Sequence, residues 1–296
     1  MDFSFTQEQE ELRREARAFL EANADAPLDR LRELGWLGVS VPEERGGGGL
    51  SFVEEAILFE EAARVLYAGP FLTTAVVLPA LDELDEHAWS VELELVDGLV
   101  PHLDTVDRVL CLEGAVLARG DTLPTVDETR PLGRLREKVA DSNYVQDFGK
   151  FGGVRLRLLA GLAAEAVGVA SKALELAVGY VSEREQFGRK IGVYQAVSHP
   201  LADTYVETEL ARSLAYWAAW ALAAGDESAP VAAASAKSFC AETAVAACER
   251  SIQVHGGIGF TWEHPLHRYY KRAQWIDAFG GHAARQREVV AAALLD

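Results

Sequence analysis

The feature that most restricts the fold is a series of long, alanine-rich segments in the second half of the chain. Residues 154–182 repeat small side chains that permit close contact between helices, and a second helix is predicted over residues 195–224. A third follows with Pro230 in its first turn, where the missing N–H does no harm. Helices of about thirty residues with narrow small-residue faces are typical of antiparallel bundles. We therefore predict a mainly α fold with a C-terminal helical bundle of four helices over residues 153–296.

Residues 1–95 are predicted to form a separate N-terminal helical domain. Thr6 with Gln9 gives a capping box in front of an apolar face with helical spacing, and Ser51 with Glu54 repeats this signal. We expect the glutamates of the second of these helices to form a solvated face: Glu54, Glu55, Glu60 and Glu61.

The glycine run Gly46–Gly49 lies between these two helices and has two interpretations. Consecutive glycines can cradle a phosphate through their backbone N–H groups. The run lacks the Lys-Ser/Thr pair of a P-loop, so a turn between helices is favoured.

Residues 96–152 differ in composition from the helical regions on either side. They mix β-branched residues with Gly, Pro and Asp, which predicts a few short strands or an irregular connection. A full β-sandwich usually needs roughly 100 residues. We therefore expect a reduced middle region, or a linker.

The charge of the chain excludes several classes of function. It carries 28 basic and 46 acidic residues, and a net charge of −18 disfavours broad binding to nucleic acid or anionic lipid. The three cysteines form no C-x-x-C pair, and the two in the alanine-rich stretch, Cys240 and Cys248, are expected to be buried thiols. The N-terminus lacks the apolar stretch of a signal peptide, and no apolar run approaches the length of a membrane span. We expect a soluble, cytoplasmic protein.

The first stretch that can carry chemistry is Glu183–Gly192, followed by Tyr194 and Gln195. Arg184 can offer two parallel N–H donors to a phosphate. Gln186 and Gln195 can bond further oxygens, and Phe187 supplies an apolar wall. By itself, this pattern favours an arginine in a structural salt bridge.

The second stretch is Gln253–Phe260, in which Gly256 and Gly257 let backbone N–H groups approach a ligand. A glycine helix stop is the alternative interpretation. His264 and His267 follow at i, i+3 spacing, but no Cys or acidic cluster accompanies them, so we do not predict a metal site.

Ordered sequence blocks extend these two stretches. LRELGWLGVSVPEERGGGGLS lies near the start, and YVSEREQFGRKIGVYQAVSHPLADTYVETELAR is followed by QVHGGIGFTWEHPLHRYYKRAQ in the bundle. In order and separation these blocks resemble the acyl-CoA dehydrogenase family. The resemblance implies an FAD that lies across a dimer interface. The middle β domain of one subunit holds the isoalloxazine ring, and the bundle of the other holds the adenosine diphosphate end.

The resemblance also implies roles for individual residues. Arg184 matches the arginine that meets the FAD pyrophosphate. The other residues that match the family's cofactor contacts are Gln186, Phe187, Gln195, Gln253, Gly256 and Gly257.

The family's usual catalytic base is missing. That base is a glutamate, which takes a proton from the α carbon of the acyl-CoA, and the matching position here is Gly280. The first bundle helix, where some relatives carry the base, reads Arg157-Leu158-Leu159 near its start. Asp277 and Glu165 are weak candidates for a displaced base. A helix-surface acid or a local salt bridge is the favoured role for each.

The middle region also lacks the family's T-E-P-x-A-G-S-D-like stretch, whose groups contact the flavin ring and the substrate. The resemblance therefore implies a small, non-catalytic subunit of an α2β2 heteromer that shares FAD with a related full-length subunit. Acyl-CoA would bind at the shared site, with an electron-transferring flavoprotein as acceptor. Split enzymes of this kind resemble those that shorten sterol side chains in actinobacteria. Two alternatives remain: a self-sufficient dehydrogenase that uses Asp277 or Glu165, and a flavin-free scaffold subunit.

Overall fold

The computed structural model describes residues 4–82, 84–92, 98–111, 114–136, 138–141, 144 and 148–295. The predicted middle region 96–152 therefore lies partly outside the described residues. The helices of the N-terminal part are α1 Gln7–Ala22, α2 Leu28–Glu33, α3 Phe52–Arg64 and α4 Phe71–Val77.

Both predicted capping boxes are present. The Thr6 hydroxyl accepts the N–H of Gln9 at 3.2 Å, and the Gln9 side chain accepts the N–H of Thr6 at 3.0 Å. Ser51 and Glu54 cap α3 in the same reciprocal way. These local signals set where α1 and α3 begin.

The glycine run between α2 and α3 forms a tight turn against the preceding backbone. A Cβ at Gly47 would lie 2.2 Å from the carbonyl oxygen of Val41. The N–H of Gly48 donates to Gly38 at 2.9 Å, and the N–H of Gly49 donates to Val41 at 2.9 Å. Because these N–H groups are used within the fold, the run is a turn rather than a phosphate cradle.

The strands that follow are short: β1 Trp89–Val91, β2 Leu99–Pro101, β3 Arg108–Cys111, β4 Gly114–Leu117, β5 Gly120–Leu123 and β6 Leu132–Leu135. Within the described residues they form two three-stranded sheets, in the orders β1-β3-β4 and β2-β6-β5. β1 and β3 are parallel, and the other pairs are antiparallel. The expected few short strands and reduced middle region are therefore confirmed.

The C-terminal part is a helical bundle as predicted, but residues 148–295 form five helices rather than four: α5 Phe148–Glu183, α6 Gln195–Ala224, α7 Ala229–His255, α8 Leu266–Ala278 and α9 Ala283–Leu295. The hairpin strands β7 Glu185–Gln186 and β8 Arg189–Lys190 lie between α5 and α6. Alanines of α7 are fully buried, which lets the long helices pack closely. All three cysteines are buried, and none forms a disulfide within the described residues. In the described part of the chain, no helix has the length and apolar character needed to cross a membrane.

The solvated glutamate face expected on α3 is wrong. Glu54 belongs to the capping box, whereas Glu55, Glu60 and Glu61 are each 1% exposed. Each buried carboxylate is paired with arginines from other parts of the chain. The sequence pattern suggested a charged surface because these partners are distant in sequence.

Arginines of three helices neutralise these carboxylates. Arg13 of α1 lies 3.0 Å from Glu60, which is also bonded by Arg212 of α6. Arg157 of α5 lies 2.5 Å from the carboxylate of Glu55. α3 is thereby tied to α1, α5 and α6 by charge as well as by apolar packing.

The number of cationic partners sets the direction in which the pKa of each carboxylate shifts. Burial favours the neutral acid at both sites. Arg212 and Arg13 outweigh this effect and lower the pKa of Glu60. Glu55 has a single arginine, and burial raises its pKa despite Arg157 and Ser40.

We predict that Glu60→Gln lowers the free energy of unfolding by about 1–3 kcal/mol, because it removes the buried carboxylate that Arg13 and Arg212 share and leaves each with one other carboxylate partner, Glu61 or Glu209. Urea unfolding at neutral pH measures the loss. Glu11→Gln is the control, since Glu11 forms an exposed pair with Arg14, and it should change stability by less than about 0.5 kcal/mol. Equal effects of the two substitutions would contradict this account of α3.

Candidate functional site

The two stretches singled out in the sequence meet at one end of the bundle. Arg184 directly follows α5, and Gly256 directly follows α7. Tyr180, in the last turn of α5, stacks on His255, the last residue of α7, with ring centroids 4.4 Å apart and planes 24° apart. The segments after the two helices therefore start from neighbouring points.

The chain leaves α5 through a tight hairpin. Phe187 and Gly188 have φ values of 53° and 76°, as the central residues of a type I′ turn require. The hydroxyl of Tyr194 donates to the carbonyl of Gln186 at 3.3 Å and ties the hairpin to the start of α6. Phe187 is 92% exposed at the tip. A large apolar side chain held there in a strained conformation indicates a binding function.

Arg184 is exposed beside this hairpin. Its backbone N–H donates to Tyr180 at 2.9 Å, and its own carbonyl accepts the N–H of Ile191 at 2.8 Å. Across the residues that the structure describes, its guanidinium has no hydrogen bond or ion pair. The structural salt bridge that was the alternative interpretation is therefore absent from that part of the chain, and the cation is available for an anion.

The glycine turn after α7 presents bare backbone. Gly256 has a φ of 63°, and a Cβ at Gly256 or at Gly257 would meet nothing within 4 Å. A Cβ at Gly259 would instead lie 2.7 Å from the carbonyl of Ile252, so Gly259 serves packing. Only the first two glycines thus leave open space for a ligand. Gly256 also ends α7, so the helix-stop interpretation is confirmed, and a role of Gly256 in ligand binding stays a prediction.

The remaining predicted contact residues are exposed at the same two segments: Gln186, Gln195 and Gln253. Phe260 and Trp262, after the glycine turn, are 76% and 78% exposed. Together with Phe187, they place three exposed aromatic side chains on these two segments.

The histidines near this turn pack on aromatic rings. His264 lies 4.4 Å from His255 between ring centroids, and His267 lies 4.8 Å from Trp262. Burial and the neighbouring histidines lower the pKa of His264. A search of the described residues finds no group of His, Cys, Asp or Glu side chains that could hold a metal ion.

Gly280, at the position of the missing base, lies in a buried glycine turn between α8 and α9. Gly280 and Gly281 have φ values of 79° and 97°. The carbonyl of Gly280 accepts a hydrogen bond from Gln286 at 2.6 Å. Lys237 of α7 donates to the carbonyls of Asp277 at 2.7 Å and Gly281 at 2.9 Å. The turn is thus held from two helices and offers no side chain to accept a proton.

The two candidates for a displaced base are both paired. Nδ1 of His282 donates a hydrogen bond to the carboxylate of Asp277 at 2.7 Å. Glu165 is not on a helix surface: it is buried and forms an ion pair with Arg130, from the loop before β6. The guanidinium of Arg130 in turn lies 5.3 Å above the ring of Trp275.

Sequence reasoning missed a buried charge cluster beside this pair. Arg272 of α8 is fully buried, and its Nε donates to Asp127 at 2.9 Å. Burial and Arg130 lower the pKa of Arg272 to about 10, and Glu165 and Asp127 oppose the shift. The position of Arg272 on the same face of α8 as Ile276, one turn earlier, could have indicated from the sequence that this arginine is buried. The partner, 145 residues away in the chain, gave no such indication.

A helical bundle with an exposed cation and bare glycine backbone at one end is suited to bind an anionic ligand there. Comparison with known proteins specifies the class. Residues 6–84 match the model of the acyl-CoA dehydrogenase N-terminal domain, and residues 159–295 match that of the C-terminal domain. The chain belongs to the acyl-CoA dehydrogenase family, which consists of FAD-dependent oxidoreductases.

Individual relatives agree with this assignment. The chain is 33% identical to acyl-CoA dehydrogenase IpdE2 of Mycolicibacterium smegmatis, over 86% of this chain and 83% of that protein. It is 37% identical to acyl-CoA dehydrogenase FadE34 of Mycobacterium tuberculosis, over 90% of this chain but only 42% of that longer protein.

Solved structures show the same fold. A chain of the ChsE4-ChsE5 complex from Mycobacterium tuberculosis superposes with a TM-score of 0.88 at 22% identity, covering 100% of this chain and 99% of that one. Butyryl-CoA dehydrogenase from Megasphaera elsdenii superposes with a TM-score of 0.81 at 21% identity, covering 100% of both chains.

We predict that Gly280→Glu does not create a dehydrogenase in the isolated chain. A non-glycine residue at this left-handed φ costs about 1–2 kcal/mol, so the variant should also unfold at lower denaturant concentration. Gly280→Ala separates the backbone strain from the effect of the carboxylate. Oxidation of an acyl-CoA by the isolated Gly280→Glu chain would contradict the assignment of this turn as non-catalytic.

Lys237 generates a second prediction. Burial lowers its pKa to about 8, although Asp277 opposes the shift. Between pH 8 and 10 the unfolded chain keeps a proton that the folded chain has lost, so the free energy of unfolding should rise with pH. The stability of the wild type relative to Lys237→Met should increase by about 1 kcal/mol per pH unit. If the free energy of unfolding depended on pH in the same way in these two proteins, the prediction would be wrong. Lys190→Met is the control for loss of an exposed lysine.

Proposed function

We propose that this chain is the non-catalytic, FAD-contacting subunit of a heteromeric acyl-CoA dehydrogenase. The observation that carries the proposal is the contrast between two parts of the bundle. At one end, the guanidinium of Arg184 has no hydrogen bond or ion pair to any described residue, and Gly256 and Gly257 present open backbone. At the turn where the base is expected, Gly280 has no side chain and is buried.

The exposed residues fit the diphosphate end of FAD. Arg184 donates two N–H groups to the pyrophosphate, and the amides of Gln186, Gln195 and Gln253 bond the remaining polar atoms. Phe187 shields the contact from water, and the open glycines let the backbone approach the adenosine. FAD, when bound, supplies the acceptor for the hydride that leaves the β carbon of the acyl-CoA.

A partner subunit completes the site. The aromatic side chains of Phe187, Phe260 and Trp262 are too exposed for a surface that stays in water. A related full-length dehydrogenase subunit provides the platform for the flavin ring and the catalytic glutamate. Two-fold symmetry then gives an α2β2 assembly. The similarity to a chain solved within the two-component ChsE4-ChsE5 complex supports this arrangement.

The substrate is an acyl-CoA thioester bound at the shared site, and we propose a sterol side-chain thioester. The two small sheets of the middle region leave room for a bulky acyl group. The similarity to mycobacterial acyl-CoA dehydrogenases supports a role in actinobacterial lipid metabolism. An electron-transferring flavoprotein is the proposed acceptor, and the assembly is proposed to be cytoplasmic.

The two alternative functions receive less support. A self-sufficient enzyme needs a carboxylate free to take a proton, whereas Glu165 is in an ion pair with Arg130 and Asp277 is hydrogen-bonded to His282. If the chain were a flavin-free scaffold, its function would not explain why Arg184 is exposed and why Gly256 and Gly257 leave open space.

Co-expression with a related full-length subunit tests the proposal. The isolated chain is expected to retain little flavin and to oxidise no acyl-CoA, and the complex should gain both properties. Arg184→Ala should weaken FAD binding by the complex about 10- to 100-fold, because a hydrogen bond to a charged group contributes roughly 1.5–3 kcal/mol.

Arg287→Ala is the matched control. Arg287 is an exposed arginine of α9 that pairs with Glu242 of α7, roughly 20 Å along the helix from Gly256. This variant should bind FAD as the wild type does. Stoichiometric FAD and acyl-CoA oxidation in the isolated chain would show that the proposal is wrong.

A further inference from the structure

His255 is placed where the two segments of the proposed half-site meet. It is 4% exposed and ends α7 immediately before Gly256. One face of its imidazole stacks on Tyr180, and the ring of His264 lies 4.4 Å away between centroids. Among side chains of the described residues, His255 joins the last turn of α5 to the glycine turn of α7 by ring contact.

The imidazole is fixed in orientation as well as in place. Its Nδ1 lies 2.7 Å from the carbonyl oxygen of Ser251, one turn earlier in α7. A carbonyl can only accept, so Nδ1 carries the proton and donates. This hydrogen bond holds the ring plane against Tyr180. Stacked aromatic pairs contribute beyond the area that they bury.

Tyr180 passes this restraint to the hairpin. Its carbonyl accepts the backbone N–H of Arg184 at 2.9 Å, and the carbonyl of Arg184 accepts the N–H of Ile191 at 2.8 Å. A continuous set of contacts therefore runs from Gly256 through His255 and Tyr180 to Arg184.

We propose that His255 is a positioning residue that sets the distance between the Arg184 guanidinium and the Gly256–Gly257 backbone. It touches neither cofactor nor substrate in this role. The inference rests on the proposed function, because the two segments need a defined spacing only if one ligand spans them. A rigid support of this kind is what a preorganised binding site requires.

An apolar cluster beside the stack is the competing explanation for the spacing. Val254, Ile191 and Val197 pack there around Leu174, Ala177, Val181 and Leu201. If this cluster alone held the segments together, the ring at position 255 would affect stability and not the geometry of the site. The ring and the cluster can be separated by substitution.

FAD affinity of the complex provides the first test. His255→Ala should weaken FAD binding about tenfold, and His255→Phe, which keeps the stacked ring, should stay within about threefold of the wild type. In an Arg184→Ala background, His255→Ala should weaken FAD binding less than about twofold. The reason is that His255 acts on FAD binding through its effect on the position of Arg184. A full tenfold effect in that background, or no effect in the wild type, overturns the inference.

The same experiment separates the inference from the proposed function. Loss of affinity in Arg184→Ala without loss in His255→Ala rejects only the role of His255. Unchanged affinity in Arg184→Ala rejects the proposed half-site itself.

Hydrogen exchange of the isolated chain is the second test and needs no flavin. His255→Ala should speed exchange of the Arg184 and Ile191 amides about tenfold, although these residues lie far away in sequence. His255→Phe and the control His282→Ala, in the α8–α9 turn, should leave both amides protected. Unchanged protection in His255→Ala would attribute the spacing to the apolar cluster and overturn the inference.

Discussion

The pairing of buried α3 carboxylates with distant arginines is the interaction on which the arrangement of the chain depends. Glu55 and Glu60 lie in the core, where an unpaired charge is strongly unfavourable. Their partners come from α1, α5 and α6. The N-terminal helices therefore cannot separate from the bundle without exposing or orphaning these charges. This restraint fixes α5 and α6, and with them the loops at the end of the bundle.

Two regions of the bundle differ in whether their polar groups are exposed or already hydrogen-bonded within the chain. At the ends of α5 and α7 a cation, three amides and bare backbone face outward on ordered segments. Between α8 and α9 the backbone is closed by hydrogen bonds from Lys237 and Gln286. A chain with an open nucleotide surface and a closed base position is suited to support chemistry that another subunit performs. The ion pair of Glu165 with Arg130 and the hydrogen bond from His282 to Asp277 agree with the proposed non-catalytic role, because they leave neither carboxylate free.

Features set by neighbouring residues could be predicted from the sequence, whereas contacts between residues far apart in the chain could not. The capping boxes at Thr6 and Ser51 and the bounds 195–224 of α6 were predictable, because caps and helical periodicity act over a few residues. The meeting of the two motif segments was expected from family resemblance, and Tyr180 and His255 supply its physical basis. The carboxylates of α3 were misread as solvated, since no local pattern reveals an arginine about 150 residues away. The pair of Arg272 and Asp127 was missed for the same reason.

The most direct measurement is an experimental structure of this chain in complex with its full-length partner and FAD. The account predicts the pyrophosphate within hydrogen-bond distance of Arg184 and the adenosine against Gly256 and Gly257. The flavin ring and a glutamate base should lie in the partner. A flavin held entirely within one subunit, or a flavin ring next to an acidic side chain of this chain, would contradict the account.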